Sequence, residues 1–108
     1  MKGTFLRFYV HENRKHGHVL LYEWLLEHAK KLGIRGGSAF RAIAGFGRHG
    51  VIHEQRFFEL AGDLTVEVEF MVTDDEAKRM LALVRAEGVD VFYAVIPADF
   101  ESIGNSGA

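Results

Sequence analysis

The sequence predicts an α+β fold with the element order βαββαβ, in which two helices cover one face of an antiparallel four-stranded sheet. Three stretches alternate apolar and polar residues with the period of two that half-buried strands show, and a fourth candidate strand follows the second helix. Two further stretches repeat apolar residues at helical spacing. Right-handed crossovers then place both helices on the same face of the sheet. The 108 residues fit a single domain over positions 1–108.

The first half of the chain contains a strand, a helix and a second strand. Residues 4–10 alternate and form the first strand, and a polar loop is expected over residues 11–17. The first helix ends near Gly33, and its inward side carries Leu21, Trp24, Leu25, His28, Ala29 and Leu32. The second strand is predicted over residues 38–46, after the turn at Gly36 and Gly37.

The second half repeats this pattern with a strand, a helix and a strand. After a weaker extended or loop stretch over residues 51–59, residues 64–72 show the cleanest alternation in the chain. Residues 73–76 form a capping box at the start of the second helix, which ends at Gly88. The fourth strand is predicted over residues 89–97, with Pro97 tolerable only at a strand end or on an edge. This order is that of the ferredoxin-like fold, and the tail from residue 102 is expected to fray.

The composition excludes several classes of protein. The formal net charge is -2, so no bulk attraction to nucleic acid is expected. The absence of Cys excludes a disulfide framework and a thiolate zinc site. No apolar run approaches the roughly 20 residues that cross a bilayer, so no membrane insertion is expected. We therefore expect a cytoplasmic protein.

The sheet face opposite the helices combines aromatic and charged residues. Arg7 lies on this face with Glu67 and Glu69, and we predict that it pairs with one of these two carboxylates across adjacent strands. The face is either a solvated, salt-bridged surface or a subunit interface. The 9 Phe, 3 Tyr and 1 Trp are more than one small core needs, which favours the interface.

A glycine-rich segment follows the second strand and is a candidate anion site. Glycines at 45 and 47 let backbone amides approach an oxyanion, and Arg48 can donate two hydrogen bonds to a phosphate. The segment opens no helix and has no P-loop Lys, so it is neither a Rossmann fingerprint nor a Walker motif. The alternative is a glycine turn that lets the second strand bend.

Residues 36–47, together with residues 48–53, Leu60 and residues 63–64, resemble the uncharacterised PII-like signalling proteins, a family of unknown function. The resemblance spans residues 5–96, and a more distant one connects the chain to the nitrogen regulatory PII proteins. It implies a ferredoxin-like homotrimer that binds small anionic effectors, adenine nucleotides, in clefts between subunits. The effector-binding residues it suggests are Gly45, Phe46, Gly47, Arg48, His53 and Arg41.

Two departures from the PII pattern limit what carries over. Residues 51–62 contain no Tyr, so uridylylation is not expected. Residues 87–90 replace the Gly-Asp-Gly-Lys phosphate loop of PII proteins, which puts ordinary binding of ATP and 2-oxoglutarate in doubt.

The sequence therefore favours a non-enzymatic sensor that signals to a partner protein through the loop at 51–62. No acid, base and nucleophile set is apparent, so we expect no catalytic residue, no cofactor and no resident metal. One alternative is a divalent-metal-binding or metal-tolerance protein on the same trimeric fold. It rests on the six His, of which His16, His18, His49 and His53 could gather imidazoles. A small ferredoxin-like enzyme is the other alternative.

Overall fold

The computed structural model describes residues 1–46, 52–54 and 64–104. Within them, the α+β architecture has one four-stranded sheet, two short hairpins and two helices. In chain order the elements are β1 (Lys2–His11), β2 (Lys15–His16), β3 (Val19–Leu20), α1 (Leu21–Lys31), β4 (Ser38–Arg41), β5 (Ala44–Phe46), β6 (Ile52–Glu54), β7 (Thr65–Val72), α2 (Asp74–Ala86) and β8 (Phe92–Asp99).

The main sheet has the strand order β4-β7-β1-β8, and every neighbouring pair is antiparallel. The two strands with the clearest alternation, β1 and β7, lie in the centre, because each can bury one face and pair on both sides. The prediction of a ferredoxin-like α+β fold is confirmed. Pro97 lies in β8, an edge strand, where a residue without an amide proton is tolerated.

The core lies between the sheet and both helices. Leu6 and Phe8 of β1 and Val68 of β7 have no exposed surface, as their alternation predicts. Both helices contribute to this one core cluster, so they cover the same sheet face, and their buried residues are Leu21, Trp24, Leu25, Ala29, Ala77, Met80 and Val84.

The start and end of α2 follow the local sequence signals. The Thr73 hydroxyl accepts from the Glu76 amide at 3.1 Å, and the Thr73 amide donates to the Glu76 carboxylate at 2.9 Å, which confirms the capping box. Gly88 has a φ of +69°, and the Val89 amide donates to the Val84 carbonyl at 3.3 Å. This termination delays the fourth strand, so β8 covers Phe92–Asp99 rather than residues 89–97.

The prediction of one continuous second strand over residues 38–46 is wrong. β4 pairs with β7 as far as Arg41 opposite Val66, and the Ala42 amide still donates to the Thr65 carbonyl at 2.8 Å. Because β7 begins at Thr65, the chain beyond this point has no partner in the main sheet. It pairs instead with β6 and forms a separate hairpin.

The expectation of a plain loop over residues 11–17 is also wrong. Lys15–His16 pairs with Val19–Leu20, and the two residues between them form a tight turn. Gly17 has a φ of +65°, as the first central residue of a type II′ turn requires. This hairpin precedes α1 directly and lies beside the site described next.

Candidate functional site

A cleft lies at the end of the sheet where β1 and β4 finish. Both strands are antiparallel to β7, so they run parallel to each other and end at the same edge, on either side of the start of β7. The cleft has a volume of about 310 Å³, close to the lower end of the range of about 300–1,000 Å³ that ligand pockets show. It is lined by Glu12, Asn13, Leu20, Tyr22, Ala39, Arg41 and Val66.

An ion pair crosses this cleft. The Arg41 Nε atom lies 2.9 Å from the Glu12 Oε2 atom, and the exposed side-chain fractions are 45% for Arg41 and 13% for Glu12. The Glu12 amide donates to the Leu64 carbonyl at 2.8 Å, which fixes the backbone just beyond β1. The main chain at Glu12 is therefore fixed by a hydrogen bond, and its mostly buried carboxylate lies against the Arg41 guanidinium.

Sequence reasoning selected Arg41 but missed Glu12. Glu12 lies in a polar stretch between the first strand and the first helix, where a single acidic residue is unremarkable. The topology contained a usable signal, because two strands that flank a common antiparallel neighbour must end at the same edge. The acidic residue after one strand could have been paired with the basic residue at the end of the other.

The other predicted effector-binding residues belong to β5 and β6 or stand between these strands in the sequence. Gly45 is the register partner of His53, and Phe46 is the register partner of Ile52. The Phe46 side chain is 72% exposed. Gly47 and Arg48 lie outside the described residues, as does the predicted signalling loop at 51–62 apart from β6. The structure thus brings Gly45 and His53 together and leaves the roles of all six residues as predictions.

Gly45 is exposed and has no steric reason to be glycine in the part of the chain that the structure describes. A Cβ atom added there would meet no described atom within 4 Å, and its φ does not lie in the left-handed region. Gly45 follows Arg41 by four residues, so their Cα atoms are at most about 14 Å apart, given the reach of about 3.6 Å per residue. The hairpin and the cleft are therefore close enough for one ligand to touch both.

The open face of the sheet carries a second ion pair. The Arg7 Nε atom lies 3.1 Å from the Glu69 Oε1 atom, which confirms the predicted pairing and selects Glu69. The Arg7 guanidinium also lies over the Phe5 ring, 4.7 Å from its centroid. Around this pair the open face exposes apolar side chains on β4, β7 and β8, among them Phe40, Met71, Phe92 and Ile96.

The environment of the open face shifts the ionisation of both partners. Burial raises the pKa of Glu69, Glu67 raises it further, and Arg7 opposes the shift. The pKa of Arg7 is raised mainly by its hydrogen bond with Tyr9, with the Glu69 carboxylate adding to the effect. Burial thus disfavours the charged form of Glu69, and the neighbouring Arg7 guanidinium favours it.

Two of the six histidines, one of them a metal-site candidate, have other contacts in the described part of the chain. His16 Nε2 lies 3.1 Å from Glu87 Oε1, and the His16 ring packs edge-on against Trp24 at 5.0 Å. The His28 ring, four residues further along α1, stacks against the Trp24 ring with a centroid distance of 4.2 Å. Across residues 1–46, 52–54 and 64–104, no group of three potential metal-ligating side chains converges. Neither described helix is long and apolar enough to span a bilayer.

Comparison with known proteins places the chain among proteins of unknown function. Residues 3–91 match the family DUF190, described as Uncharacterized ACR. A UPF0166 protein of Aquifex aeolicus (strain VF5) is 34% identical over 101 residues, covering 86% of this chain and 96% of that protein. A UPF0166 protein of Methanocaldococcus jannaschii is 30% identical over 81 residues, covering 75% of this chain and 74% of that protein.

A solved structure shares the fold. The crystal structure of a candidate PII-like signaling protein from Thermus thermophilus superposes with a TM-score of 0.64 at 22% sequence identity. The superposition covers 90% of this chain and 87% of that protein. Together with the family match, this confirms the resemblance to uncharacterised PII-like proteins and shows the PII-like fold.

Proposed function

The chain belongs to the DUF190 family, and we propose that it is a PII-like regulatory protein that binds an adenine nucleotide in clefts between the subunits of a homotrimer. The observation that carries the proposal is the exposed Gly45, which is paired with His53 on a hairpin that begins three residues after Arg41 of the cleft. Neither a positive φ nor a tight described neighbour accounts for a glycine at this position. We attribute it to a ligand that approaches the backbone closely. The backbone of residues 45–47 and Arg48 are proposed to hold the phosphates.

The open face supports the proposed trimer. Met71 is 56% exposed and Phe92 is 74% exposed in the single chain, although both lie on the main sheet. Apolar side chains grouped around an ion pair are typical of a surface that another subunit covers. A trimer that also covers the edge strands β4 and β8 would shield them from uncontrolled pairing.

The regulatory part of the proposal concerns the segment at 51–62. It includes β6, so a ligand held at Gly45 and His53 would act directly on the start of this segment. We propose that the occupied and empty states differ in this segment and that a partner protein reads the difference. The protein would then act in the cytoplasm as a sensor and catalyse no reaction.

A thermal-shift titration tests the proposal. ATP, ADP and AMP are each added with and without Mg²⁺, and the expected result is a rise in the unfolding temperature, since a ligand that binds only the native state stabilises it. Arg48→Ala should remove most of the rise, because a charge-assisted hydrogen bond contributes about 1.5–3 kcal/mol, or about tenfold or more in affinity. Arg79→Ala, which removes an exposed guanidinium from α2, is the matched control.

Two results would count against the proposal. No shift with any adenine nucleotide at millimolar concentration would refute nucleotide sensing. A shift with divalent metal salts alone, lost in His53→Ala and on chelation but kept in Arg48→Ala, would favour the metal-binding alternative.

A further inference from the structure

The chemistry of the cleft differs from that of an anion site. Among the described residues that line it, Arg41 is the only Arg or Lys, and that charge is balanced by Glu12 at 2.9 Å. An ionised carboxylate only accepts hydrogen bonds, so it repels phosphate oxygens and attracts hydroxyl or amino groups. The cleft therefore suits an uncharged part of a ligand that brings hydrogen-bond donors.

We infer that the cleft binds the ribose of the nucleotide, with the Glu12 carboxylate accepting hydrogen bonds from the ribose hydroxyls and Arg41 positioning that carboxylate. This inference rests on the proposed function and adds to it the group that distinguishes a nucleotide from a simple polyphosphate. It also gives Arg41 a part in effector binding that acts through Glu12.

Two features of the carboxylate and a precedent from other folds support this assignment. An ionised carboxylate has about four lone-pair sites, and the buried Glu12 Oε2 atom accepts no hydrogen bond among the described residues although Arg41 Nε lies 2.9 Å away, so acceptor capacity remains for a pair of hydroxyls. Its side chain is only 13% exposed, so a hydrogen bond made there is shielded from water. Acidic side chains bind ribose hydroxyls in the same way in dinucleotide-binding folds.

The size and position of the cleft agree with a nucleotide that spans two subsites. A volume of about 310 Å³ suits a sugar or nucleoside better than a whole nucleoside triphosphate. The walls beside Glu12 include the Tyr22 ring and the aliphatic Leu20 and Val66, which can pack against the apolar edges of such a group. Gly45 lies at most about 14 Å from Arg41, within reach of a phosphate chain attached to that sugar.

Isothermal titration calorimetry with ATP, 2′,3′-dideoxy-ATP and inorganic tripolyphosphate tests the inference. For the wild-type protein, removal of both ribose hydroxyls should weaken binding about tenfold or more, as expected for hydrogen bonds to a charged group. Glu12→Gln should weaken ATP binding by a similar factor and leave tripolyphosphate binding unchanged. Dideoxy-ATP should bind that variant nearly as well as ATP does, because the two changes remove the same interaction.

Two further variants complete the experiment. Glu23→Gln changes an exposed carboxylate of α1 and should preserve the preference for ATP over dideoxy-ATP. Arg41→Met should bring the ratio of the ATP affinity to the dideoxy-ATP affinity toward one, while tripolyphosphate still binds. A general loss of stability would leave that ratio unchanged.

The outcomes separate this inference from the proposed function. If wild-type protein binds ATP and dideoxy-ATP equally well, the ribose assignment is wrong while nucleotide binding stands. If Glu12→Gln weakens the binding of ATP and of dideoxy-ATP by the same factor, Glu12 does not bind the ribose hydroxyls. If the wild type binds no adenine nucleotide, the proposed function fails and the ribose assignment fails with it.

Discussion

The two faces of the central strands β1 and β7 differ sharply, although successive residues of the same two strands build both. On the inner face, Leu6, Phe8 and Val68 are completely buried under α1 and α2. On the outer face, the neighbouring Arg7 and Glu69 keep 28% and 18% of their side chains exposed amid apolar residues. Helices of the same chain cover the inner face, whereas the outer face exposes apolar side chains to solvent. Alternation in the sequence therefore assigns a side chain to a face of the sheet but does not identify the partner that covers that face.

The largest effect should come from a matched pair of aromatic truncations, one on each face. Phe8→Ala removes a ring that packs against Phe70 at 6.3 Å and Tyr93 at 6.1 Å, and should lower the free energy of unfolding by about 3–5 kcal/mol. Phe92→Ala truncates a ring that is 74% exposed in the single chain. Urea unfolding measures both variants at several protein concentrations.

The dependence of the destabilisation on protein concentration distinguishes the two faces in that experiment. The loss in Phe8→Ala should be the same at all concentrations, because it arises within one chain. Any loss in Phe92→Ala should grow as the concentration rises, because it weakens contacts between chains. A large, concentration-independent loss in Phe92→Ala would contradict the distinction between the faces.

The next effect concerns assembly rather than folding. Met71→Asp places a charge on the open face at a residue that is 56% exposed, so the single chain should fold with little change. Buried in an interface between subunits, the same carboxylate would be strongly unfavourable. Native mass spectrometry should show a trimer of the 12.2 kDa chain for the wild type and mainly the single chain for the variant.

A matched control uses a residue away from the sheet. Ile103→Asp introduces the same charge at an apolar side chain that is 99% exposed, and it should leave the trimer intact. A wild-type protein that is monomeric at micromolar concentration would refute the proposed trimer. A trimer that survives Met71→Asp would place the interface elsewhere.

Those parts of the fold that depend on local patterns were predictable from sequence. The alternation of β1 and β7 and the capping box at Thr73 each use neighbours within a few positions, and the structure shows all three. The Arg7–Glu69 pair was also predictable to within one alternative, because strand adjacency follows from the fold class.

The break between β4 and β5 was not predictable in this way. It occurs because β7 begins at Thr65, so the position depends on a residue more than 20 places further along the chain. Residues 38–46 have the same strand-like composition on both sides of the break. Their pairing, rather than their own pattern, decides which sheet they join.

The candidate site shows the same division between local and distant information. The glycine and arginine motif was visible in sequence, since its chemistry lies in consecutive residues. Glu12 joined the site only through the tertiary fold, which brings the ends of β1 and β4 together.

The smallest predicted effect is a pH dependence that originates on the open face. Burial, the largest cause, and Glu67 hold the pKa of Glu69 above the ordinary value of 4.5, although Arg7 opposes them. The folded state therefore retains this proton at a pH where the unfolded state has released it. The stabilisation is fully present below the ordinary value and is lost as the pH rises through the raised pKa of the folded state. Glu69→Gln cannot titrate, so the difference in unfolding free energy, wild type minus variant, should fall as the pH rises from acid toward neutral. Urea titrations of both proteins across this range measure the difference, and a rise with pH would show that the Arg7 ion pair outweighs burial on this face.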